Sequence, residues 1–597
     1  MLGLLLGRAL SNREVALLAA LWVSCAPSLA QSQQPASIRT TTAPDPSSQS
    51  ERPGLYKPPS PPVPNDATSY VGNEACAGCH AAIYKSYIQT PMARASGPAI
   101  ENVVPADFSH PSSGVHYRIY SEAGRVWLSF ERPGDPEVRG KRELQYYIGS
   151  GRRGLSYLFA QDRFLFESPV NWYSREHRWD MAPAYQNTRE IPLNLPAFTS
   201  CLRCHVSGMR PPAEGTDNLY PTPAFLDAGV SCERCHGPGA AHVTGAEMTG
   251  SATGSIVNPS RLAPERRDAV CMQCHLEGRV AIERRGRHPY EFQPGDDLSD
   301  YIRYYVLPEG RAGRLGGVSQ VEALTQSLCK RKSGDAMSCT SCHDPHSDPP
   351  AEERVTYYRE KCLACHGPHF ASKHHADQPD CTLCHMPAAA STNIAHTQVT
   401  DHRIPRRPVE QAQLLDEIGP APSVPRLVPF PDSLQAQEDI RDLALAWQSL
   451  ANDGMAGAES HAESLLRAAV VESPDDPDIL SALAYVEQKH GLTAQATELY
   501  RRALAANPNL IDAAADLGVI EAETGHLREA VKLWQGAFRR APGRSSLGMN
   551  LAAAFCEARQ FDEARGAILR VLEFNPDMAA AKKALQSLNR SPPDCAN

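Results

Sequence analysis

Seven copies of one short pattern carry most of the chemistry that this sequence can perform. In each copy two residues separate a pair of cysteines, and a histidine follows the second cysteine directly. Two thiols and an imidazole at this spacing can hold one common group, because thiols react as nucleophiles and imidazole is a frequent metal ligand. The copies use fourteen of the eighteen cysteines and are Cys76, Cys79 and His80; Cys201, Cys204 and His205; Cys232, Cys235 and His236; Cys271, Cys274 and His275; Cys339, Cys342 and His343; Cys362, Cys365 and His366; and Cys381, Cys384 and His385. Each motif is named below by its histidine.

This CxxCH pattern is the attachment signature of c-type haem. The two thiols form thioethers with one haem, and the histidine becomes the proximal ligand of its iron. The competing interpretation is structural zinc held by paired CxxC knuckles. Zinc requires no histidine directly after every pair, and seven pairs cannot be matched two by two. The sequence therefore predicts seven covalently bound haem c groups.

Each haem iron has a sixth coordination position that a second side chain can fill. Eleven histidines outside the motifs precede the C-terminal region. His346 lies three residues after His343 and can hardly cross its own haem, so we expect it to bind the iron of another motif. The strongest candidates for distal ligands are His242, His346, His396 and His402, followed by one of His374 and His375.

The His80 motif has a different neighbourhood. Met92 follows His80 by twelve residues, and Pro91 would end a helix from the motif and turn Met92 back over the iron. A methionine thioether is an established alternative to histidine in c-type cytochromes. Met92 is therefore a candidate iron ligand, with a distant histidine and an open position as the two alternatives.

The composition limits the class of protein. The chain has 597 residues, enough for roughly three to five domains. Its formal net charge is −9, which argues against a nucleic-acid-binding protein. The mean hydropathy is −0.39 and no run of eighteen apolar residues follows the first thirty, which excludes a polytopic membrane protein.

The N-terminus has the pattern of an export signal. Arg8 and Arg13 precede a short apolar run at 15–23, and small residues at 28–30 suit a cleavage site. We expect residues 1–30 to be a cleaved signal peptide and the mature protein, without an integral membrane span, to be periplasmic or otherwise exported. A lipid anchor at Cys25 is the less favoured alternative.

Spacing and composition divide the rest of the chain. Residues 31–65 form a Pro/Ser/Thr-rich linker, 66–405 the seven-haem domain and 406–436 a Pro-rich linker. Alternating and aromatic residues predict a β-rich segment at about 107–175. So little chain separates successive motifs that haems must replace much of an apolar core. We expect a multidomain protein whose haem-packed, mainly irregular and α-helical domain has a small β-rich segment.

The C-terminal 437–590 is repetitive, with prolines 34 residues apart. This period, with a small residue inside each repeat, is typical of the tetratricopeptide repeat. We expect an all-α solenoid of four repeats, isolated from the haem domain by the second Pro-rich segment, that docks a protein or peptide partner. The prolines are Pro474, Pro508, Pro542 and Pro576, and the small residues are Ala462, Ala496, Ala530 and Ala564.

Two further features are open to more than one interpretation. Gly149–Gly154 satisfies GxGxxG, but the residues that follow read as a strand rather than the helix that a dinucleotide site needs. A tight turn between strands is the favoured interpretation. Cys556 and Cys595 lie outside the motifs, and a disulfide between them is an unsupported alternative to two separate thiols.

The motifs and their surroundings resemble exported seven-haem c-type cytochromes with doubled CxxCH motifs, fused to tetratricopeptide repeats. These are related to the tetrahaem cytochrome and hydroxylamine oxidoreductase group of nitrifiers. The resemblance rests on "YVGNEACAGCHAAIYKSYIQTPMARAS", "YYIGSGRRGLSYL", "GVSCERCHGPGAAHV", "CMQCHLEGR", "SCTSCHDPH", "CTLCHMP" and "HTQVTDHRIPRR". It implies haem binding and electron transfer and supplies no substrate.

Three functions are compatible with these features. The leading one is extracytoplasmic electron transfer along seven haems between redox protein partners, with the repeats docking a partner. The second is an oxidoreductase that acts on a small nitrogen or sulfur compound at one haem with an open position. The third is a repeat scaffold whose haems only stabilise the fold. An electron carrier is favoured, and whether the protein is an enzyme stays open.

Overall fold

A computed structural model of the chain describes residues 69–249, 255–307, 316–367, 369–370, 374, 377–391, 398–406, 426–430, 439–590, 593 and 595. The predicted signal peptide, the first linker and most of the second lie outside these residues, as do Cys25, His375 and His396. Within them, no helix has both the length and the apolar character needed to cross a membrane.

The first large element is an antiparallel sheet of nine strands. Its main order is β2-β3-β4-β5-β6-β8-β9, with β1 paired to β5 and β7 paired to β6. The strands are β1 Ser96–Pro98, β2 Ala106–His110, β3 Val115–Glu122, β4 Arg125–Arg132, β5 Asp135–Ile148, β6 Gly154–Gln161, β7 Phe164–Glu167, β8 Val170–Tyr173 and β9 Arg178–Met181. The predicted β-rich segment therefore lies within a somewhat longer sheet.

Alternation of side chains places one face of this sheet in a core. In β3, Val115, Tyr117 and Ile119 are buried, while the side chains between them are more exposed. This is the two-residue period of a strand with one covered face. The sheet is thus stabilised by its own apolar residues.

The motifs lie on short helices and turns around this sheet. The helices of this part, which we call the motif region (residues 69–406), are α1 Gly72–Ala77, α2 Ala81–Tyr87, α3 Thr199–His205, α4 Cys232–His236, α5 Ala240–Thr249, α6 Pro264–His275, α7 Gln320–Gln326, α8 Leu328–Ser333, α9 Arg354–His366 and α10 Cys381–His385. Small sheets join them: β10 Val206–Met209 with β11 Phe225–Ala228, β12 Val280–Glu283 with β13 Ile302–Val306, and β14 Ala388–Ala390 with β15 Gln398–Thr400.

From residue 439 to residue 588, the regular elements of the C-terminal region are all helices joined by short turns. Its helices are α11 Ile440–Asn452, α12 Ala458–Glu472, α13 Pro477–Lys489, α14 Thr493–Ala506, α15 Ile511–Glu523, α16 Leu527–Arg540, α17 Ser545–Glu557, α18 Phe561–Phe574 and α19 Ala579–Leu588. The four periodic alanines are completely buried where paired helices meet. This arrangement is consistent with a solenoid of tetratricopeptide type, and a disulfide joins Cys556 to Cys595.

The repeats pack against the motif region, so the expected isolation by the second Pro-rich segment is wrong. Phe574 at the end of α18 is fully buried in the core of the large sheet, and its ring centroid lies 5.2 Å from that of Phe166. Near the first repeat, Val280 and Tyr305 share a core with Trp447. Part of the predicted linker is strand β16, Val428–Phe430, which pairs with β13.

This contact follows the period of the repeats. Asp442, Asp476 and Arg544 are separated by multiples of 34 residues and occupy equivalent positions in successive repeats. Each forms an ion pair with a residue of the motif region: Asp442 with Arg284, Asp476 with Arg285 and Arg544 with Asp217. One edge of the solenoid is therefore bound along the motif region.

Candidate functional site

All seven motifs line one continuous cavity of about 2880 Å³. Cavities for a single small ligand are about 300–1,000 Å³, so this one can hold several large groups. Besides the cysteines and histidines of every motif, the wall includes His242, His346, His374, His402 and Met92. The structure thus brings together all the predicted site residues that it describes, and His396 lies outside the described residues.

Helical geometry explains why the motif works locally. Helices α3, α4, α6, α9 and α10 each end on their motif histidine. Residues three and four apart share one face of a helix, so both thiols and the imidazole of such a motif face the same side. Each of these five motifs can therefore present its reactive groups to one side of a single group.

Three of the motifs are locked together by the residue before the second cysteine. Arg203 donates to the carbonyl of Gln273 at 3.1 Å, and Arg234 donates to the carbonyl of Arg203 at 2.9 Å. The amide of Gln273 donates to the carbonyl of Arg234 at 3.4 Å and completes the ring. The His205, His236 and His275 motifs are therefore held in fixed relative positions. Sequence reasoning missed these residues because it treated them as spacers.

Motif cysteines also meet in pairs across different motifs. The thiol pairs close enough to shift each other's pKa are Cys76 with Cys232, Cys204 with Cys274, Cys271 with Cys339, and Cys362 with Cys381. The remaining neighbours are joined by hydrogen bonds: the amide of Gln273 donates to the carbonyl of Arg234, and the hydroxyl of Tyr358 on α9 lies 3.3 Å from the Nδ1 of His343. The motifs therefore form one connected series in the order His80, His236, His275, His343, His366 and His385, with the His205 motif beside the His275 motif.

Burial raises the pKa of several motif thiols, whereas a neighbouring cysteine lowers the pKa of Cys204 and of Cys339. Burial, followed by the neighbouring Cys76, raises the pKa of Cys232 to about 12, and burial and Cys381 raise that of Cys362 to about 11. A thioether keeps sulfur uncharged, whereas a zinc site needs thiolates. Thirteen motif cysteines have free thiols, and Cys201 is disulfide-bonded, so a thioether there would replace that disulfide.

Zinc-type clusters are not formed in the part of the chain that the structure describes. No group of three or more histidine, cysteine, aspartate or glutamate side chains converges there as metal ligands would. The two cysteines and the histidine of a motif face a cavity instead. The donor set therefore suits one-sided attachment to a planar group better than a closed tetrahedral centre.

Hydrogen bonds at Nδ1 orient several of the imidazoles. The Nδ1 of His236 lies 2.8 Å from the carbonyl of Val257, and that of His385 lies 2.8 Å from the carbonyl of Pro405. His402 contacts the carbonyl two residues before it in the same way, at 2.9 Å. A ring that donates from Nδ1 leaves Nε2 unprotonated and free for a metal.

Four motif histidines each face a histidine from elsewhere in the chain. The pairs, with the separation of ring centroids and the angle between ring planes, are His80 with His242 at 6.4 Å and 16°, His236 with His346 at 6.0 Å and 15°, His343 with His402 at 6.3 Å and 32°, and His385 with His374 at 6.0 Å and 30°. In each pair the second histidine is remote in sequence or belongs near another motif.

Comparison with known proteins agrees with a cytochrome. Residues 171–237, which contain the His205 and His236 motifs, match the family described as cytochrome c554 and c-prime. This similarity indicates covalently bound haem c and an electron-transfer protein. No curated protein matches the chain.

Solved structures of MamA are similar to part of the chain. One crystal structure of MamA is 19% identical and covers 23% of this chain and 78% of that chain, with a TM-score of 0.21. MamA 41-end from Desulfovibrio magneticus RS-1 is 17% identical and covers 27% of this chain and 89% of that chain, with a TM-score of 0.24. MamA AMB-1 is 24% identical and covers 23% and 79%, with a TM-score of 0.21.

Proposed function

We propose that the protein is an exported c-type cytochrome that transfers electrons along seven covalently bound haems. The observation that carries this proposal is the single cavity lined by all seven CxxCH motifs. Haem iron, when bound, changes between its ferrous and ferric states and so accepts and releases single electrons. The residues of this chain would attach the haems, hold them in a fixed order and supply ligands to their irons.

Each of the four histidine pairs would hold one haem iron between its two imidazoles. An imidazole nitrogen lies about 2 Å from a first-row metal ion, so two rings on opposite sides of one ion have centroids about 6 Å apart. The observed separations of 6.0–6.4 Å match this distance. His242, His346, His402 and His374 are then the distal ligands.

This assignment favours a distant histidine over Met92 and over an open position at the His80 motif. His242, rather than Met92, faces His80 at the required separation. Met92 lines the same cavity, and its carbonyl accepts hydrogen bonds from Ala95 and Val230. We therefore assign Met92 to packing beside the haem and His242 to its sixth position.

The contacts between motifs define the proposed route of electron transfer. Hydrogen bonds between Arg203, Gln273 and Arg234 fix three motifs, and neighbouring cysteines together with the contact of Tyr358 with His343 connect these to the other four. Because the His275 motif touches the His205, His236 and His343 motifs, it is the branch point of the series. Redox proteins outside this chain would exchange electrons with its ends, and the solenoid surface that is not bound to the motif region would dock a protein partner.

The first test counts the haems. Mass determination of the denatured protein and a pyridine haemochrome assay should give seven haems per chain after expression with full maturation machinery. Five or fewer would overturn the proposal.

The second test examines the ligands. His242→Ala should convert one haem from low spin to high spin in electron paramagnetic resonance, because it removes one axial ligand. His116→Ala is the matched control, since His116 lies in the sheet and pairs with Asp107. An unchanged spin state in His242→Ala would contradict the ligand assignment.

A second candidate function is catalysis at the His275 motif on a small nitrogen or sulfur compound. Among the described residues, no second imidazole is paired with His205, His275 or His366 as His242 is with His80, so the His275 motif is one of three at which we propose an open position. Carbon monoxide added to the reduced protein distinguishes the two functions. Binding at one haem supports a catalytic centre, whereas no binding at any haem supports electron transfer alone.

A further inference from the structure

The hairpin loop at Gly149–Gly154 leads to an inference that rests on the proposed function and goes beyond it. We propose that Arg153 binds an anionic group, a carboxylate or a small oxyanion, beside the His275 motif. The loop joins β5 to β6, and both of its arginines line the cavity. The GxGxxG loop is thus part of the cavity wall and not a dinucleotide-binding site.

The glycines allow this loop to pack closely. Gly149 has a φ of 96°, and a Cβ there would lie 2.7 Å from the carbonyl oxygen of Gly154. A Cβ on Gly154 would lie 2.8 Å from the carbonyl oxygen of Trp172. Neither position can accept a larger residue without movement of the backbone. The two arginines are therefore carried by a tightly constrained turn.

The two arginines differ in their partners. Arg152 forms an ion pair with Asp348 at 2.6 Å. Arg153 donates to the carbonyl of Gly317 at 3.3 Å, and no carboxylate among the described residues pairs with it. Burial, and then the charge of Arg152, lower the pKa of Arg153. A guanidinium has five N–H donors, and the side chain of Arg153, which is exposed where it lines the cavity, uses one of them on Gly317 among the described residues.

A chain of hydrogen bonds connects this cation to the proximal ligand. The carbonyl of Gly317 also accepts from the amide nitrogen of Gln320 at 3.2 Å. The amide oxygen of Gln320 lies 3.4 Å from the Nδ1 of His275. The charge of Arg153 therefore lies at the motif that is the branch point of the series.

Arg153 lines the same cavity as the imidazoles of His275 and His402. The ligand class is thus one that accepts two parallel hydrogen bonds from a guanidinium, as carboxylates and oxyanions do.

Two sources supply this chemistry, and one experiment distinguishes them. The anion is either a propionate of a bound haem or a small oxyanion substrate such as nitrite or sulfite. Arg153→Gln is compared with the wild type and with Arg152→Gln as the matched control. Each protein is assayed for its haem content, its spectroelectrochemical midpoint potentials without added anions, and the spectral changes on titration with nitrite and with sulfite.

For a propionate, Arg153→Gln should lower one midpoint potential without added anions, because loss of a cation favours the ferric state. For an oxyanion substrate, loss of the same cation should also lower that potential, but binding of nitrite or sulfite should in addition weaken by about tenfold or more, whereas an arginine that binds a propionate should leave that binding unchanged. Arg153→Lys retains the charge without the planar fork and should give an intermediate result; it also replaces Arg153→Gln should that variant fail to fold.

The proposal is overturned if the Arg153 variants match the wild type in both titrations, or if Arg152→Gln produces the same change. Either result with seven haems present leaves the proposed function intact. Fewer than seven haems in the wild type would contradict the proposed function itself, so the two failures are distinguishable.

Discussion

The motif region and the repeats obtain their order from different sources. In the repeats, each helix pair is held by buried side chains such as Ala496, Ala530 and Trp534. Helices α1, α9 and α10, all of whose residues are described, contain no buried side chain although they carry motifs. The difference indicates that the repeats fold on their own apolar core, whereas these helices depend on what fills the cavity between them.

The largest expected effect comes from preventing haem attachment. Expression without the haem maturation machinery should leave α9 and α10 open to proteolysis and hydrogen exchange, because their apolar cover is then missing. The large sheet and the repeats should stay protected, since their cores consist of protein side chains. Equal protection of both regions in the haem-free protein would show that α9 and α10 do not depend on haem for their order.

A smaller but still global effect is expected from deleting the repeats. Removal of residues from 437 onward would expose the apolar surfaces of Phe166, Val280 and Tyr305, which the repeats cover. We therefore expect the truncated protein to aggregate or to lose thermal stability, even where it retains haem. A soluble truncated protein that keeps the melting temperature of the motif region would refute this contact as a source of stability.

A single residue tests the same contact. Phe574→Ala should destabilise the protein by about 3–5 kcal/mol, the usual cost of removing a buried phenylalanine ring. The matched control is Phe538→Ala, which removes an equally buried ring from the core of the repeats alone. Denaturant unfolding followed by haem absorption should respond to Phe574→Ala more than to Phe538→Ala. The same response to both changes would show that Phe574 does not couple the repeats to the motif region more than Phe538 does.

The smallest effect concerns pH within the repeats. Burial, and then the charge of Asp512, raise the pKa of Asp516 to about 7, and its carboxylate accepts a hydrogen bond from Tyr500. Because the folded state holds this proton more tightly than the unfolded chain, stability should fall as pH rises from about 4 to 7 and then level off.

Asp516→Asn keeps the acceptor and removes the ionisation. It should therefore stabilise the repeats at pH 8 by roughly 1 kcal/mol and change little at pH 4. Thermal unfolding of the two proteins across this pH range measures the effect. Parallel pH profiles would show that Asp516 ionises normally in the folded protein.

The local features of the fold could be predicted from sequence because they depend on nearby residues. The CxxCH spacing places three groups on one helix face, and the 34-residue period determines the helix pairs of the repeats. The alternation around Tyr117 predicts a strand, and the structure confirms strands in this segment. The contact of Phe574 with Phe166 could not be predicted, because it joins residues that no local pattern relates.

The candidate site shows the same division. The sequence identified the seven motifs and several candidate distal histidines, but it could not pair them. Met92 was a candidate because it is near His80 in sequence, whereas His242 reaches the ring of His80 from more than 150 residues away. Distance along the chain does not predict distance across a cavity, because the packing of the intervening helices and strands determines which side chains meet there.

By itself, the sequence determines which groups can attach a cofactor and where the periodic helices lie, since covalent spacing and helical period are local properties. Only the tertiary structure decides that all seven motifs share one cavity, that Arg203, Arg234 and Gln273 lock three of them, and that the repeats cover the motif region. These depend on the packing of distant segments, in which burial and hydrogen bonding select one arrangement from many that the local patterns allow.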